Sequence, residues 1–300
     1  MAPAVVLMIA LVLLGLHASR QAGASTRAAF QAERIEQVGR ARVALAAASE
    51  AEKSAVLAST DEDSQRYADQ ARAATAQVEV ARRTVEQLLA RGGTDPERLL
   101  LAQFSQQFVD LQRIDNELLA LAVKNTNMKA YGLAFGPAQQ AMDEMSAALS
   151  QVVAKGAASP DGRIIEVLAL GAEATALQIQ VLLSPHIAEE NDKKMDELEA
   201  RMAEGARGVR ERLDALAALT KLSGDSAVAA ATAAYGRFSV LKDQILVLSR
   251  ANTNVRSLSI SLTQKRRMMV LCEESLVALE RAIEDERTSD PGRLSPQLPR

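Results

Sequence analysis

Tryptophan is absent, aromatic residues make up 3% of the chain, and its 300 residues include one cysteine and two histidines. Each shortage closes a class of protein. Sheets draw on β-branched and aromatic side chains to cover a pleated face, whereas this sequence offers alanine, leucine, glutamate, glutamine and arginine. A lone thiol, Cys272, makes neither an intrachain disulfide nor a zinc cluster, and His17 with His186 are too few for a His-rich metal site. Cys272 reads as a small buried residue, not a redox centre.

An excess of charge of one sign is also missing. The 35 Lys and Arg residues oppose 38 Asp and Glu, a net charge of -3, and the two signs are interleaved along the chain. No basic block exists to hold a phosphate backbone, so nucleic acid is not an expected partner. GxGxxG, Walker, GxSxG and HExxH patterns are all lacking, so no catalytic residue, cofactor or metal is assigned and enzymatic activity is not expected. Glu189, Glu190 and Asp192 look like a metal cluster on paper, but read better as a solvated first helical turn favoured by the helix dipole.

What is present is apolar content, 48% of the chain, at helical spacing. The reading is all-α. From Met1 to Ser19 no side chain is charged, and Val5 to Leu16 is almost entirely aliphatic, a segment able to enter a membrane. Residues 1–20 are either an uncleaved single-pass anchor or a signal segment cut near Ala22-Gly23-Ala24, and the anchor is favoured because helical patterning resumes at once. Both readings place the body outside the cytoplasm, at the inner (cytoplasmic) membrane and on its periplasmic side. Residues 287–300, with three prolines and no apolar pattern, read as a disordered tail.

Breaks at STDEDS (59–64), RGGTDP (91–96), KGAASP (155–160), Ser184-Pro185 and SGD (223–225) divide the body, 25–286, into six helices. These are expected at 26–58, 62–91, 96–155, 160–184, 186–222 and 225–286, two long and four short. Asp95-Pro96, Ser159-Pro160 and Ser184-Pro185 each set a capping side chain before a proline suited to a first helical turn. Gly136-Pro137 inside the third helix predicts a kink, passive or hinge-like.

The triplet Asn-Thr-Asn occurs twice, at Asn125–Asn127 and Asn252–Asn254, an offset of 127 residues. Flanks match at that spacing: Phe108 with Tyr235, Leu111 with Phe238, Leu118 with Ile245, Leu149 with Leu276. One unit has been written twice, over 25–155 and 160–286. The long helices carry seams through Leu118, Leu121, Asn125, Met128, Gly132, Phe135 and Met142, and through Ile245, Leu248, Asn252, Val255, Leu262 and Met269. If the long helices run antiparallel and share the short ones, two four-helix bundles stack end to end, and the triplets meet at the waist.

The stretches EKSAVL (52–57), ELLALAVKNTN (117–127) and QILVLSRANTN (244–254), after an apolar N-terminal segment, resemble the four-helix-bundle sensor domains of methyl-accepting chemotaxis proteins. The six-helix plan is similar to the helical bimodular form of those sensors. The HAMP linker and cytoplasmic signalling hairpin of that family have no counterpart here. The resemblance implies a sensory module that binds a small polar ligand and works as a homodimer or beside a signalling partner protein.

For Asn125 and Asn252 a register-setting pair is the first reading and a ligand contact the second. The waist would gather Asn125, Thr126, Asn127, Asn252, Thr253 and Asn254 with Lys124, Arg250, Arg256 and His186, and with Thr60, Asp61 and Ser64 from the loop. Cations, hydroxyls and amides suit a carboxylate. Each basic residue alone reads as solvated, and His186 alone as a capping or surface residue. The competing function is a structural or scaffolding helical rod with no small-molecule ligand. A rod would gain stability from Asn125→Leu with Asn252→Leu.

Overall fold

The structure, a computed structural model, describes the backbone of residues 2–219 and 224–288, and side chains within 26–286 apart from 220–223. Expectations about the apolar character of residues 1–20 and about the tail lie outside the described side chains. Among the described residues every regular element is helical: α1 (Ala2–Leu57), α2 (Asp61–Gly92), α3 (Asp95–Ala122), α4 (Thr126–Phe135), α5 (Pro137–Gly156), α6 (Gly162–Ala188), α7 (Asp192–Ala218), α8 (Ser226–Ala251), α9 (Thr253–Ile260), a π-helical turn (Ser261–Lys265) and α10 (Arg266–Thr288). The chain is all-α.

Several boundaries differ from those read off the sequence. α1 is continuous from Ala2, with no break near residue 25. α3 is capped by Thr94 in place of Asp95: Thr94 Oγ1 accepts from Glu97 N while Glu97 Oε2 accepts from Thr94 N at 2.7 Å, a reciprocal capping box. Ser159-Pro160 lies in a turn, and α6 starts two residues later. Ser184-Pro185 starts nothing. Pro185 sits inside α6, which runs to Ala188, and the chain turns instead at Glu189, before Asn191 caps α7 by accepting from Lys194 N. Near a C-terminus a proline forfeits one ladder bond, too little to end a helix whose apolar face is still buried.

Both long helices are interrupted. At each triplet the first asparagine adopts left-handed geometry, φ 49° at Asn125 and φ 52° at Asn252, and they are the non-glycine residues of the described chain with positive φ. Asparagine tolerates this conformation because its short amide finds local partners. The break rotates the buried stripe. Beyond Asn125, as far as Ala138, the buried residues are Thr126, Asn127, Ala130, Ala134 and Ala138, whereas the expected seam residue Phe135 is 69% exposed, with Met128 and Gly132 also at the surface. In the second copy Ser257, Ser261 and Lys265 are buried and the expected Leu262 faces solvent.

By contacts the chain divides into two compact units, one of Met1–Ala55, Gln65–Leu119 and Ile260–Arg300, the other of Val56–Ser64 and Ala120–Ser259. The core of the first draws on four helices: Val38 and Leu45 of α1, Val78 and Val85 of α2, Phe104, Phe108 and Leu111 of α3, and Cys272, Leu276 and Leu279 of α10. Burial pushes the Cys272 thiol up to about 12, so it packs as the small apolar residue expected. The core of the second is richer in alanine, with Ala130, Ala134, Ala138, Ala172, Ala176 and Ala231 between Met145, Ile179, Val209 and Phe238. Small side chains let its helices approach closely; a methyl group on Gly205 of α7 would come within 3.0 Å of Ile179 on α6.

Candidate functional site

In the second unit the two triplets clasp each other residue for residue. Thr126 N donates to Thr253 Oγ1 at 3.2 Å, Thr253 N donates to Thr126 Oγ1 at 3.0 Å, and the hydroxyls are 3.2 Å apart. Asn127 N donates to Asn254 Oδ1 and Asn254 N to Asn127 Oδ1, both at 3.1 Å. Asn127 Nδ2 donates to Asn252 Oδ1 at 2.7 Å and Asn254 Nδ2 to Asn125 Oδ1 at 2.9 Å. Every contact has a twin at the 127-residue offset, a local pseudo-twofold arrangement.

Why the sequence needs asparagine and threonine here follows from the break. Starting a new helix after a left-handed residue leaves its first amide hydrogens without partners, and an unpaired buried N–H costs about 1–3 kcal/mol. The side chains of the opposite triplet supply those acceptors. The remaining amide hydrogens close the neighbouring turns: Asn125 Nδ2 donates to Thr60 O and Asp61 Oδ1, Asn127 Nδ2 to Ile187 O, and Asn252 Nδ2 to Glu189 O. Asn125, Thr126, Asn127, Asn252 and Thr253 are buried. Their polar atoms are engaged within the protein, so this network acts as a clasp and presents no free donors to a guest.

The other expected residues divide. His186 is fully buried, not at the surface. Its Nδ1 lies 2.7 Å from Ser249 Oγ and its Nε2 lies 2.9 Å from Glu199 Oε1. Burial holds its pKa below the usual value against the pull of Glu199. The neutral ring then donates from Nε2 to Glu199 and accepts the Ser249 hydroxyl at Nδ1. Ser249 Oγ also reaches His186 O at 2.9 Å, so a protonated ring is met by rotating that hydroxyl. Arg250 is spent on Glu199 Oε1 at 2.7 Å and on Asp196, leaving no fork for an external carboxylate. Lys124 and Arg256 are exposed with no ion pair among the described residues, whereas Lys129, the counterpart of Arg256 in the first copy, pairs with Asp61 at 2.7 Å. Ser64 Oγ donates to Ala122 O.

No group of acidic, histidine or cysteine residues among the described side chains is placed to hold a metal ion. Glu189 accepts the backbone N–H groups of Glu190 and Asn191, which holds its carboxyl below the usual range, and Asp192 opens α7. No protein-family model, curated protein or solved structure matches this chain.

One polar cluster escaped the sequence reading. In the first unit Lys265 Nζ, in the π turn, lies 2.6 Å from Asp115 Oδ1 and 3.2 Å from Glu52 Oε2, with Lys265 2% exposed and Glu52 1%. Both contacts fall within ion-pair range, yet neither has hydrogen-bond geometry, and Glu52 Oε1 meets no donor among the described residues. Burial raises the Asp115 pKa against the opposing pull of Lys265. The signal available was Ser257, Ser261 and Lys265 recurring every four residues on the stripe that holds Ala130, Ala134 and Ala138 in the first copy.

Proposed function

We propose that the chain is a membrane-anchored, extracytoplasmic sensory module of the four-helix-bundle type, working through a second copy or a signalling partner protein. The observation that supports this reading is the reciprocal clasp of the two triplets. A pseudo-symmetric clasp at left-handed breaks fixes the register of two helices against each other, and a small displacement of one obliges a matching displacement of the other. The ligand in this reading is small, polar and anionic, and it is met at the exposed cations Lys124 and Arg256 instead of inside the clasp. Thermal-shift measurements on the full chain with organic acids and amino acids test it. A rise in Tm with at least one of them, lost in Lys124→Gln with Arg256→Gln, is expected, and silence across both panels overturns it.

The competing reading is a helical rod without a small-molecule ligand. It is favoured by one observation: the amide groups of the triplets are engaged by the protein itself. The same panel separates the two, because a rod gives no shift at any concentration.

A further inference from the structure

We propose that the outer face of α6 is an interface on which a second copy of this chain docks antiparallel, independent of any ligand. α6 is apolar on both sides. Its inner face buries Ile165, Ala169, Ala172, Ala176, Ile179 and Leu183 in the second unit. Its outer face exposes Val167 (64%), Leu170 (52%), Leu177 (43%) and Val181 (72%), with Ala174 between them. The intervals are three and four residues, the repeat with which helices pair along a seam. Over roughly 20 Å the stripe itself carries no charge; of the carboxylates beside it, Glu173 is turned aside to Ser146 Oγ on α5 and Glu166 stands exposed at its N-terminal edge.

Together with Ile164 (53%) these side chains present roughly 500 Å² of exposed apolar surface, as much as the largest patch on an ordinary monomer. With its polar rim such a patch reaches the ~800 Å² per partner of a stable dimer. The charges at its ends set the direction. An antiparallel pairing with Leu170 opposite Val181 of the second copy and Ala174 opposite Leu177 brings Arg163 of each copy to the Glu190 end of the other. Arg163 and Glu190 are both exposed and form no ion pair among the described residues, so two cross-pairs form at once. A parallel pairing would set Arg163 against Arg163 and Glu166 against Glu166. A lipid surface is the weaker occupant. α6 is long and apolar enough to cross a membrane, but a helix lying on lipid carries Lys and Arg along its apolar face, and here the flanks are Glu166, Glu173 and Gln178, with a single cation, Arg163, one turn before Val167.

The test uses the full chain in mild detergent, with the buried Cys272 left in place. Leu170→Cys and Val181→Cys are prepared separately, then mildly oxidised alone and mixed. The expected result is a disulfide-linked dimer in the mixture and essentially none in either variant alone, since each residue faces the other type across the dyad. Sedimentation of the unmodified chain should give a dimer, and Leu177→Glu with Val181→Glu should raise its dissociation constant at least tenfold with unchanged Tm. Cross-linking of each variant with itself would overturn the antiparallel register. A monomer at roughly 100 µM, or a dimer that persists in the Glu variant, would overturn the interface, and vesicle binding by a monomer would assign the face to lipid.

Discussion

The two copies of the repeat place different chemistry on one backbone plan. At the offset of 127 residues, Lys265 corresponds to Ala138, Glu52 to Ile179 and Asp115 to Lys242. The first unit therefore buries an ammonium between two carboxylates where the second packs Ile179 against alanines, and Lys242 turns aside to Asp243. The interruptions correspond too. Gly136-Pro137, which separates α4 from α5, matches positions 263–264, within the π turn. One copy breaks its helix with proline and the other inserts an extra residue per turn, at the same place. The interruption thus belongs to the architecture, which must restore helix phase after the left-handed asparagine, and the proline is one of two solutions.

Removing the cation from the first unit is the most forceful way to break this comparison. Lys265→Met leaves Glu52 and Asp115 buried without compensation, a loss of about 3–5 kcal/mol in urea unfolding followed by circular dichroism. Making the whole cluster apolar, with Glu52→Ile as in the second unit and Asp115→Leu and Lys265→Met beside it, should recover all but about 1 kcal/mol or exceed the parent, because well-packed apolar groups commonly match a buried ion pair. If Lys265→Met alone proves neutral, the cluster is not charged and the contrast between the units collapses.

The clasp comes next. Asn125→Leu forces a branched side chain into φ 49° and strips partners from Asn254, and Asn252→Leu does the same to Asn127, so each should cost about 3 kcal/mol. This is opposite to the gain in stability that the rod reading expects of the same substitutions. The two losses should not add, since one substitution already opens the shared network; a double-mutant cycle reads the coupling. A smaller effect, about 1–2 kcal/mol, is expected for Gly136→Ala, whose new methyl would sit 2.8 Å from Gly132 O at φ -106°, ψ -101°.

These positions also show what the sequence could disclose. Helical class, duplication and the meeting of the triplets were legible because each rests on periodicity or repetition over many residues. The left-handed breaks were not, because a single φ is set by partners far along the chain, Thr60, Asp61 and Asn254 for Asn125, and Asn127 and Glu189 for Asn252, and a seam read as continuous from Leu118 to Phe135 therefore lost phase at Asn125. His186 was misplaced for a related reason: Pro185 mimics a helix start, while the burial that overrides it comes from α7 and α8. The repeat marks Lys265 as a stripe position, but not its partners: Glu52, Asp115 and Lys265 are 63 and 150 positions apart and each, taken alone, reads as a solvated charge.

The last and smallest effect distinguishes the units by pH. His186 has a folded pKa below its unfolded value, with burial as the main cause; Glu199 and Asp196 on α7 and Arg250 on α8 surround it. A depressed histidine binds protons more readily when unfolded, so its contribution is complete above the unfolded value near 6.5 and is lost as pH falls through it. Asp115 has the opposite sign. Its raised pKa favours the folded state at low pH, and that contribution is lost as pH rises through the folded value. Mild acid therefore strains the second unit while relaxing the first. Between pH 7 and pH 5 the parent should lose stability faster than His186→Gln, by no more than about 1.4 kcal/mol per pH unit for one proton. Asp115→Asn should change the slope in the opposite direction. Parallel stability profiles for the parent and His186→Gln would mean that the Ser249 rotation absorbs the proton without cost, and the histidine would then contribute packing alone.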